Sequence, residues 1–275
     1  MPFNAFKIGR ASLKPGTPLI VGVLNVTPDS FSDGGRYFND VRKAVDHALR
    51  MEQEGADIID VGGESSRPGS ANVAPEEEIR RVVPAIRALR KRSSVPVSID
   101  SMRPQTARAA VEAGADMIND ITGFTNPEMT DAAVALKIPV VVMHMRGTPA
   151  TMQKRPRYSD VVRDVSGFLS RQAEMLEKKG VRRIILDPGL GFGKNLKHNV
   201  RLLKRLDEIA GLGRPVMVGA SRKSFIGALT GAPVGDRLAG TLAAHICSVL
   251  KGAALIRVHD VAEHRRALDV LRELL

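Results

Sequence analysis

Eight short apolar runs recur along the chain, and nearly every one ends in a residue able to bind or react. The runs are LIVGVLNVT from Leu19, DIIDVGGES from Asp57, PVSID from Pro96, MINDI from Met117, PVVVMHM from Pro139, RIILDPG from Arg183, PVMVGAS from Pro215 and ALIRVHD from Ala254. They are continuous in Val, Ile and Leu rather than alternating with polar residues, the pattern of strands buried on both faces and paired in parallel. Their exits carry Asn25, Glu64, Asp100, Asn119 with Asp120, His144, Asp187, Ser221, and Arg257 with His259. Residues of this kind gathered at strand ends imply one shared mouth where the strands finish.

Between the runs lie segments with helical period. Val41, Ala44, Val45, Ala48 and Leu49 mark one helix face, with Gly55 as its stop. Pro75 and three glutamates open the next helix in the way the helix dipole favours. Ile79, Val82, Val83, Ile86 and Leu89 form its buried stripe, and Pro84 is expected to kink or split it. Later helices are predicted over 104–113, 127–136, 159–179, 196–210, 222–230, 236–251 and 261–274, with Gly114 and Gly180 closing two of them. Strand–helix alternation repeated eight times predicts an α/β fold, a (β/α)8 TIM barrel filling residues 1–275 as a single domain. An open doubly wound sheet is the competing layout, but no run is weak enough to serve as an edge strand. Two connections are long for this architecture, 25–40 after the first strand and 62–77 after the second. Both are rich in Gly, Ser, Pro and Asp, as lids and binding loops often are.

Composition refines this reading. The 275 residues are 43% hydrophobic with no Trp and two Tyr, so the core is mainly aliphatic. The formal charge of +11 raises the question of nucleic acid. The basic residues fall on helical faces, however (Arg80, Arg81, Arg87, Arg90, Lys91 and Arg92, then Lys178, Lys179, Arg182 and Arg183), with no aromatic residues among them to stack bases. They read as a solvated surface that mildly attracts small anions, and no nucleic-acid partner is expected. No apolar run is long enough to span a bilayer, and the first residues lack a signal-peptide core, so a cytoplasmic protein without a membrane partner is expected. The one cysteine, Cys247, lies in an apolar helical pattern and reads as a core residue.

Six strings, in order and on strand exits, resemble the dihydropteroate synthase family: NVTPDSFSDGG, GGESSRPG, IND at 118–120, LDPGLGFGKN, GASRKS and IRVHD. Ser66 and Ser101 stand where the family commonly has Thr, and each keeps a hydroxyl. The resemblance implies a (β/α)8 barrel that condenses (7,8-dihydropterin-6-yl)methyl diphosphate with 4-aminobenzoate, releasing pyrophosphate, with Mg2+ assisting and a homodimer as the assembly. It implies that Asp187, Asn119 and Asp100 hold the hydrogen-bonding edge of the pterin, with Met143 and Phe192 as ring walls. Ser66, Lys223, Arg257 and His259 would serve the same substrate, with Arg67 and Asn25 adding to the diphosphate site. Phe31, Arg67, Pro68, Ser221 and Lys223 would hold aminobenzoate, Asn25 would be the protein ligand for Mg2+, and Asp33 would help offset positive charge.

Elementary chemistry suits these assignments. A buried carboxylate such as Asp187 can accept paired hydrogen bonds from an amino-pyrimidinone edge, while Asn119 both donates and accepts. Arg257 and His259 are two apart on a strand and project to one side, as a shared anion site requires. Ser221 is placed to cap the predicted helix at 222–230, whose N–H groups would favour a carboxylate. Arg222 reads as a supporting residue without direct contact. The reaction needs no protein nucleophile: diphosphate leaves a carbon stabilised by the electron-rich pterin, then the amine attacks. Two rivals remain open, a methyltransferase sharing the pterin edge and a catalytically silent pterin-binding paralogue. A sulfonamide, imitating aminobenzoate, would compete with it.

Overall fold

A computed structural model describes residues 3–27, 41–65 and 73–275. A hairpin, β1 (Phe6–Ile8) and β2 (Ala11–Leu13), precedes the alternating units. These begin with β3 (Leu19–Asn25), α1 (Val41–Gln53), β4 (Ile58–Gly62), α2 (Pro75–Arg90), β5 (Val97–Asp100), α3 (Pro104–Glu112), β6 (Met117–Asp120) and α4 (Pro127–Leu136). They continue with β7 (Val140–Met143), α5 (Val161–Lys178), β8 (Ile184–Asp187), α6 (Leu196–Lys204), α7 (Leu206–Ala210), β9 (Val216–Val218), α8 (Ser224–Thr230), α9 (Leu238–Leu250), β10 (Ala253–Val258) and α10 (Val261–Leu274). The strands β3 to β10 pair in parallel, and β10 returns to β3 to close a TIM barrel. Closure removes the edge strands that a doubly wound sheet would leave. Among the described residues no helix is long and apolar enough to cross a membrane.

Two aliphatic layers hold the barrel. One packs the outward strand residues, such as Ile20, Ile59, Ile99, Ile118 and Val142, against the helices. The other fills the barrel floor with Leu19, Val21, Ile58, Met117, Val141, Ile185, Met217 and Leu255. The N-terminal hairpin, which periodicity did not predict, seals this floor with Ile8 and Leu13, both fully buried.

Gly55, Gly114 and Gly180 end their helices as expected, each at positive φ (101°, 115° and 100°), where a side chain would be strained. Part of the basic excess is committed to these turns rather than left in solvent. Arg90 donates to the carbonyls of Gly114 and Val95 and pairs with Asp116. Arg265 does the same for the Gly55 carbonyl and Asp57, and Arg81 donates to the Gly63 carbonyl at 2.8 Å. A guanidinium at a helix C-terminus also meets the negative end of the dipole.

Four expectations need correction. Helix α2 runs unbroken through Pro84, which lies on its exposed face, where the carbonyl that loses its donor can bond to water. The helix expected over 196–210 is two, α6 and α7. The backbone leaves the helical region at Arg205 (φ −118°, ψ 33°), whose side chain is drawn to Asp160 and Glu208. The helix expected over 222–230 starts at Ser224, because Arg222 is left-handed (φ 55°). Cys247 is exposed rather than in the core: α9 turns Thr241, His245 and Ser248 inward and leaves Cys247 and Leu250 outward.

If the hairpin is a floor, Leu13→Ala should destabilise the protein by about 2–5 kcal/mol, the usual cost of truncating a buried leucine. The melting temperature should fall while ligand affinity at the opposite end of the barrel stays at the wild-type value. A variant melting like the wild type would show that the hairpin carries no such load.

Candidate functional site

Period two along the strands builds the site. Residues two positions beyond the apolar floor face the same barrel interior, and they are a different kind of residue. Ile58 is followed by Asp60, Met117 by Asn119, Val141 by Met143, Ile185 by Asp187, Met217 by Gly219 and Leu255 by Arg257. Strand pairing sets this layer side by side, with Val23 opposite Asp60, Asp100 opposite Asn119, and Met143 opposite Asp187.

Above it lies a cavity of about 480 Å³, counted to its open mouth. Its walls include Val23, Asp100, Asn119, Ile121, Met143, Asp187, Leu190, Phe192, Gly219, Ser221, Lys223, Arg257 and His259. The predicted residues Asp100, Asn119, Met143, Asp187, Phe192, Ser221, Lys223, Arg257 and His259 are therefore brought together. The cavity sits at the strand C-termini, the face that serves as the active site of such barrels. Asn25 ends β3 beside it: a side-chain carbon on Gly62 would lie 3.7 Å from the Asn25 amide oxygen and 3.8 Å from Asp100 Cβ. Phe31, Asp33, Ser66, Arg67 and Pro68 lie outside the described residues, within 28–40 of the first long connection and 66–72 of the second.

Arg257 is the hub of the charges. Its Nε donates to Asp60 Oδ2 at 2.6 Å and its Nη2 to Asp100 Oδ2 at 2.7 Å. Asn119 Nδ2 donates to the same Asp60 oxygen at 3.2 Å. Burial works against the Arg257 charge, but Asp60 and Asp100 outweigh it and hold the guanidinium above its usual range. Asp100 is pushed up by burial, which Arg257 opposes and the Asp60 carboxylate reinforces. Arg257 is thus partly committed to carboxylates, and Nη1 is the nitrogen left for an anion. Asp60 escaped the sequence reading because it lies within its run rather than at the exit. The signal was a charged residue at an inward position of an otherwise apolar strand. Asp60 Oδ1 and Asn119 Oδ1 are buried without a partner.

Asp187 accepts the Gly189 N–H through Oδ1 at 2.6 Å, and burial raises its pKa against that bond and the nearby Lys223 and Arg257 charges. Gly189 is required: a side-chain carbon there would fall 2.0 Å from the His144 carbonyl oxygen. Lys223 Nζ stands 4.2 Å from the centre of the Phe192 ring, a cation–π contact that orients both walls. Beneath them Lys194, only 2% exposed, donates to His144 Nδ1 at 2.9 Å, to Phe192 O at 2.9 Å and to His144 O at 3.1 Å. It fixes the segment that carries Phe192 and also went unpredicted. Its signal was the lysine closing GLGFGK.

Ser221 does not cap a helix. The residue before α8 is Lys223, without a side-chain capping bond, and α8 is only seven residues long. Ser221 Oγ instead accepts the His259 N–H at 3.2 Å and meets His259 Nδ1 at 2.9 Å. The two contacts tie the imidazole of His259 to Ser221 on the cavity wall. Arg222 pairs with Asp260 and makes no wall of the cavity, in keeping with a supporting role.

Three strand exits do not join the mouth. Glu64 pairs with Arg103 and accepts the Val73 N–H at 3.2 Å. Asp120 folds back on its own loop, accepting from Thr122 and Phe124. His144 is taken by Lys194 and held neutral by burial and by that lysine, with its pKa pushed down to about 3. Among the described residues no group of three His, Cys, Asp or Glu could cage a metal. The donor available at the cavity edge is the Asn25 amide oxygen, one neutral ligand of the hard type Mg2+ accepts. It fits an ion held mostly by a ligand's own oxygens and water.

A sequence model of the family described as pterin binding enzyme matches residues 21–259. Dihydropteroate synthase from Escherichia coli K12 is 46% identical over 96% of this chain and 94% of its own length. The structure of Xanthomonas albilineans dihydropteroate synthase with 4-aminobenzoic acid has a TM-score of 0.91 at 45% identity, covering 98% of this chain and 97% of that one. The Yersinia pestis dihydropteroate synthase complex with a sulfonamide drug has a TM-score of 0.93 at 40% identity, covering 98% of both chains.

Burial, with Arg257 close by, pushes Lys223 down to about 8. Its ammonium is therefore present below that pH and lost as the pH rises through it. Binding of a small aromatic carboxylate, followed by calorimetry, should weaken above pH 8 in the wild type. In Lys223→Arg, whose guanidinium stays protonated, that decline should disappear. An unchanged decline in the arginine variant would assign it to another group.

Proposed function

The chain belongs to the dihydropteroate synthase family of pterin-binding transferases, and from that membership we propose that its barrel mouth joins (7,8-dihydropterin-6-yl)methyl diphosphate to 4-aminobenzoate by dissociative substitution. The observation that carries the proposal is the layer of Asp187, Asn119 and Asp100 set directly beside Lys223, Arg257 and His259. A flat heterocycle with an anionic tail needs both halves within one cavity.

Asp187 and Asn119 take the donor and acceptor edge of the pterin, Asp100 completes the set, and Met143 and Phe192 flank the ring. Arg257, through its remaining nitrogen, and His259 receive the diphosphate with Lys223. The bond between the methylene carbon and the diphosphate oxygen breaks, and the oxygen keeps the electron pair. The pterin ring delocalises the positive charge left on carbon. The amine lone pair of 4-aminobenzoate then forms the C–N bond, and the nitrogen proton passes to pyrophosphate or solvent. Mg2+, held by Asn25 with diphosphate oxygens and water, would neutralise charge on the leaving group. The protein's work is orientation and preorganised charge rather than covalent catalysis. Ser221 and Lys223 face the aminobenzoate carboxylate, with Phe31, Arg67 and Pro68 supplied by the two connections; Ser66 and Asp33 complete the loop contributions. A sulfonamide competes at the same place.

The same reading includes a cytoplasmic homodimer. The outward side of α9, where Ala243, Cys247 and Leu250 are exposed, offers an apolar face for a second copy. Sedimentation equilibrium should then report a dimer for the wild type and a monomer for Leu250→Glu.

Pyrophosphate release tests the activity. It should require both 4-aminobenzoate and Mg2+. Release without the amine would favour a hydrolase, and pterin binding without turnover would favour a silent paralogue. A pterin methyltransferase would release none. Asp187→Ala should weaken pterin binding by about 3 kcal/mol, roughly a hundredfold, since it strands the donors that the carboxylate receives. Unchanged affinity would remove Asp187 from the pterin site.

A further inference from the structure

Helix α9 is an apolar helix that buries its polar residues. Thr241, His245 and Ser248 are all fully buried against the barrel, while leucine and cysteine of the same helix face outward. Core packing alone would give the reverse arrangement. Two of the inward residues bond to the same short turn. His245 Nε2 accepts the Ala220 N–H at 2.9 Å, and Thr241 Oγ1 accepts the Arg222 N–H at 3.1 Å. Between those two amides lies Ser221, on the cavity wall.

The bond from Ala220 fixes the ring states. Because Nε2 of His245 accepts, its proton is on Nδ1, and that proton points to His264 Nε2 at 2.9 Å. His264 then carries its own proton on Nδ1, directed at the Asp260 carbonyl. The N–H groups run in one direction, from the exit of β9, where His245 also meets the Val218 backbone, to the exit of β10. Burial pushes both imidazoles toward the neutral form that this order requires. The chain ends beside the residue that pairs with Arg222, so it and the Arg222–Asp260 ion pair join the same two segments. The turn between them needs such support, because Arg222 is held left-handed at φ 55°, where a residue with a side chain is disfavoured.

We propose that His245 and His264 are positioning residues: through the Ala220 amide and the Asp260 carbonyl they set Ser221, and with it the carboxylate end of the amine substrate, without touching either substrate themselves. The proposal rests on the dihydropteroate synthase reading of the cavity.

Steady-state kinetics with both substrates varied tests it. His245→Phe keeps ring shape but leaves the Ala220 amide without an acceptor. It should raise the KM for 4-aminobenzoate by about tenfold, the worth of one buried hydrogen bond, and that for the pterin diphosphate, which meets Ser221 only through His259, by much less. His245→Gln, which restores an acceptor at the Nε2 position, should recover most of the loss. Thr241→Val, a smaller change on the same helix, should show the same one-sided effect if His245→Phe folds poorly. In the wild type, 15N-labelled imidazole spectra should show two neutral rings protonated at Nδ1. Equal changes in both KM values, failure of the glutamine variant to improve on phenylalanine, or Nε2-protonated rings would overturn the relay. A wild-type protein without amine-dependent pyrophosphate release would overturn the functional reading and the proposal with it, whereas an active wild type with an indifferent His245→Phe would overturn the relay alone.

Discussion

One guanidinium inside the barrel decides where charge can stand. Arg257 reaches across from β10 to Asp60 on β4 and Asp100 on β5, and Asn119 on β6 joins through Asp60. Removing one partner from a buried pair of this kind costs about 3–5 kcal/mol, because the remaining charge is left without compensation. The network therefore works only complete. It also fixes strand register. A slip of one residue would turn Asp60, Asp100, Asn119, Asp187 and Arg257 into the aliphatic layer under the helices and bring their outward neighbours into the cavity. Register and charge enforce each other, and the site is as well defined as the barrel.

The same network qualifies the simplest idea of an anion site. A guanidinium already bonded to two carboxylates does not offer its full charge to an incoming diphosphate. It offers a fixed direction. Because Asp60 and Asp100 hold the group in place, little reorganisation remains when a ligand arrives, the condition under which a low-dielectric site stabilises developing charge most effectively. Lys223 is arranged on the same principle, set by the Phe192 ring on one side and by the room that Gly191 leaves on the other.

The sequence was most legible where one period governed several residues at once. Continuous apolar runs announced parallel strands, and the residues at their ends announced the cavity, so Asp100, Asn119, Asp187, Ser221, Arg257 and His259 stood out by position, whereas Lys223 came from the resemblance of GASRKS. Legibility failed where a residue answered to a partner distant in the chain. Asp60 looked like part of a strand interior until Arg257, 197 positions later, was seen beside it. Glu64, Asp120 and His144 shared the strand-exit signature but were claimed by Arg103, by their own turn and by Lys194. Cys247 was misplaced because an apolar pattern does not say which side of a helix meets the core, and on α9 the polar side does. Ser221 resembled a helix cap in sequence, but the left-handed Arg222 moved the helix start beyond its reach.

The order of polar groups along the cavity bears on how the proposed substitution proceeds. Asp60, Asp100 and Asp187 belong to the inward layer of the strands, whereas Lys223 and His259 stand beyond the ends of β9 and β10. Carboxylates are thus gathered where the pterin ring is proposed to lie, and cationic or N–H donors where its tail would leave. An associative attack would place little positive charge on the ring and draw small benefit from the buried acids. The proposed dissociative step would separate charge along this same axis, positive toward the inward carboxylates and negative toward Lys223 and His259, with Arg257 between the two. Fixed charges of matching sign then lower the barrier without having to move. The proposal that the diphosphate departs before the amine attacks rests on the same arrangement that keeps Arg257 satisfied in the empty barrel.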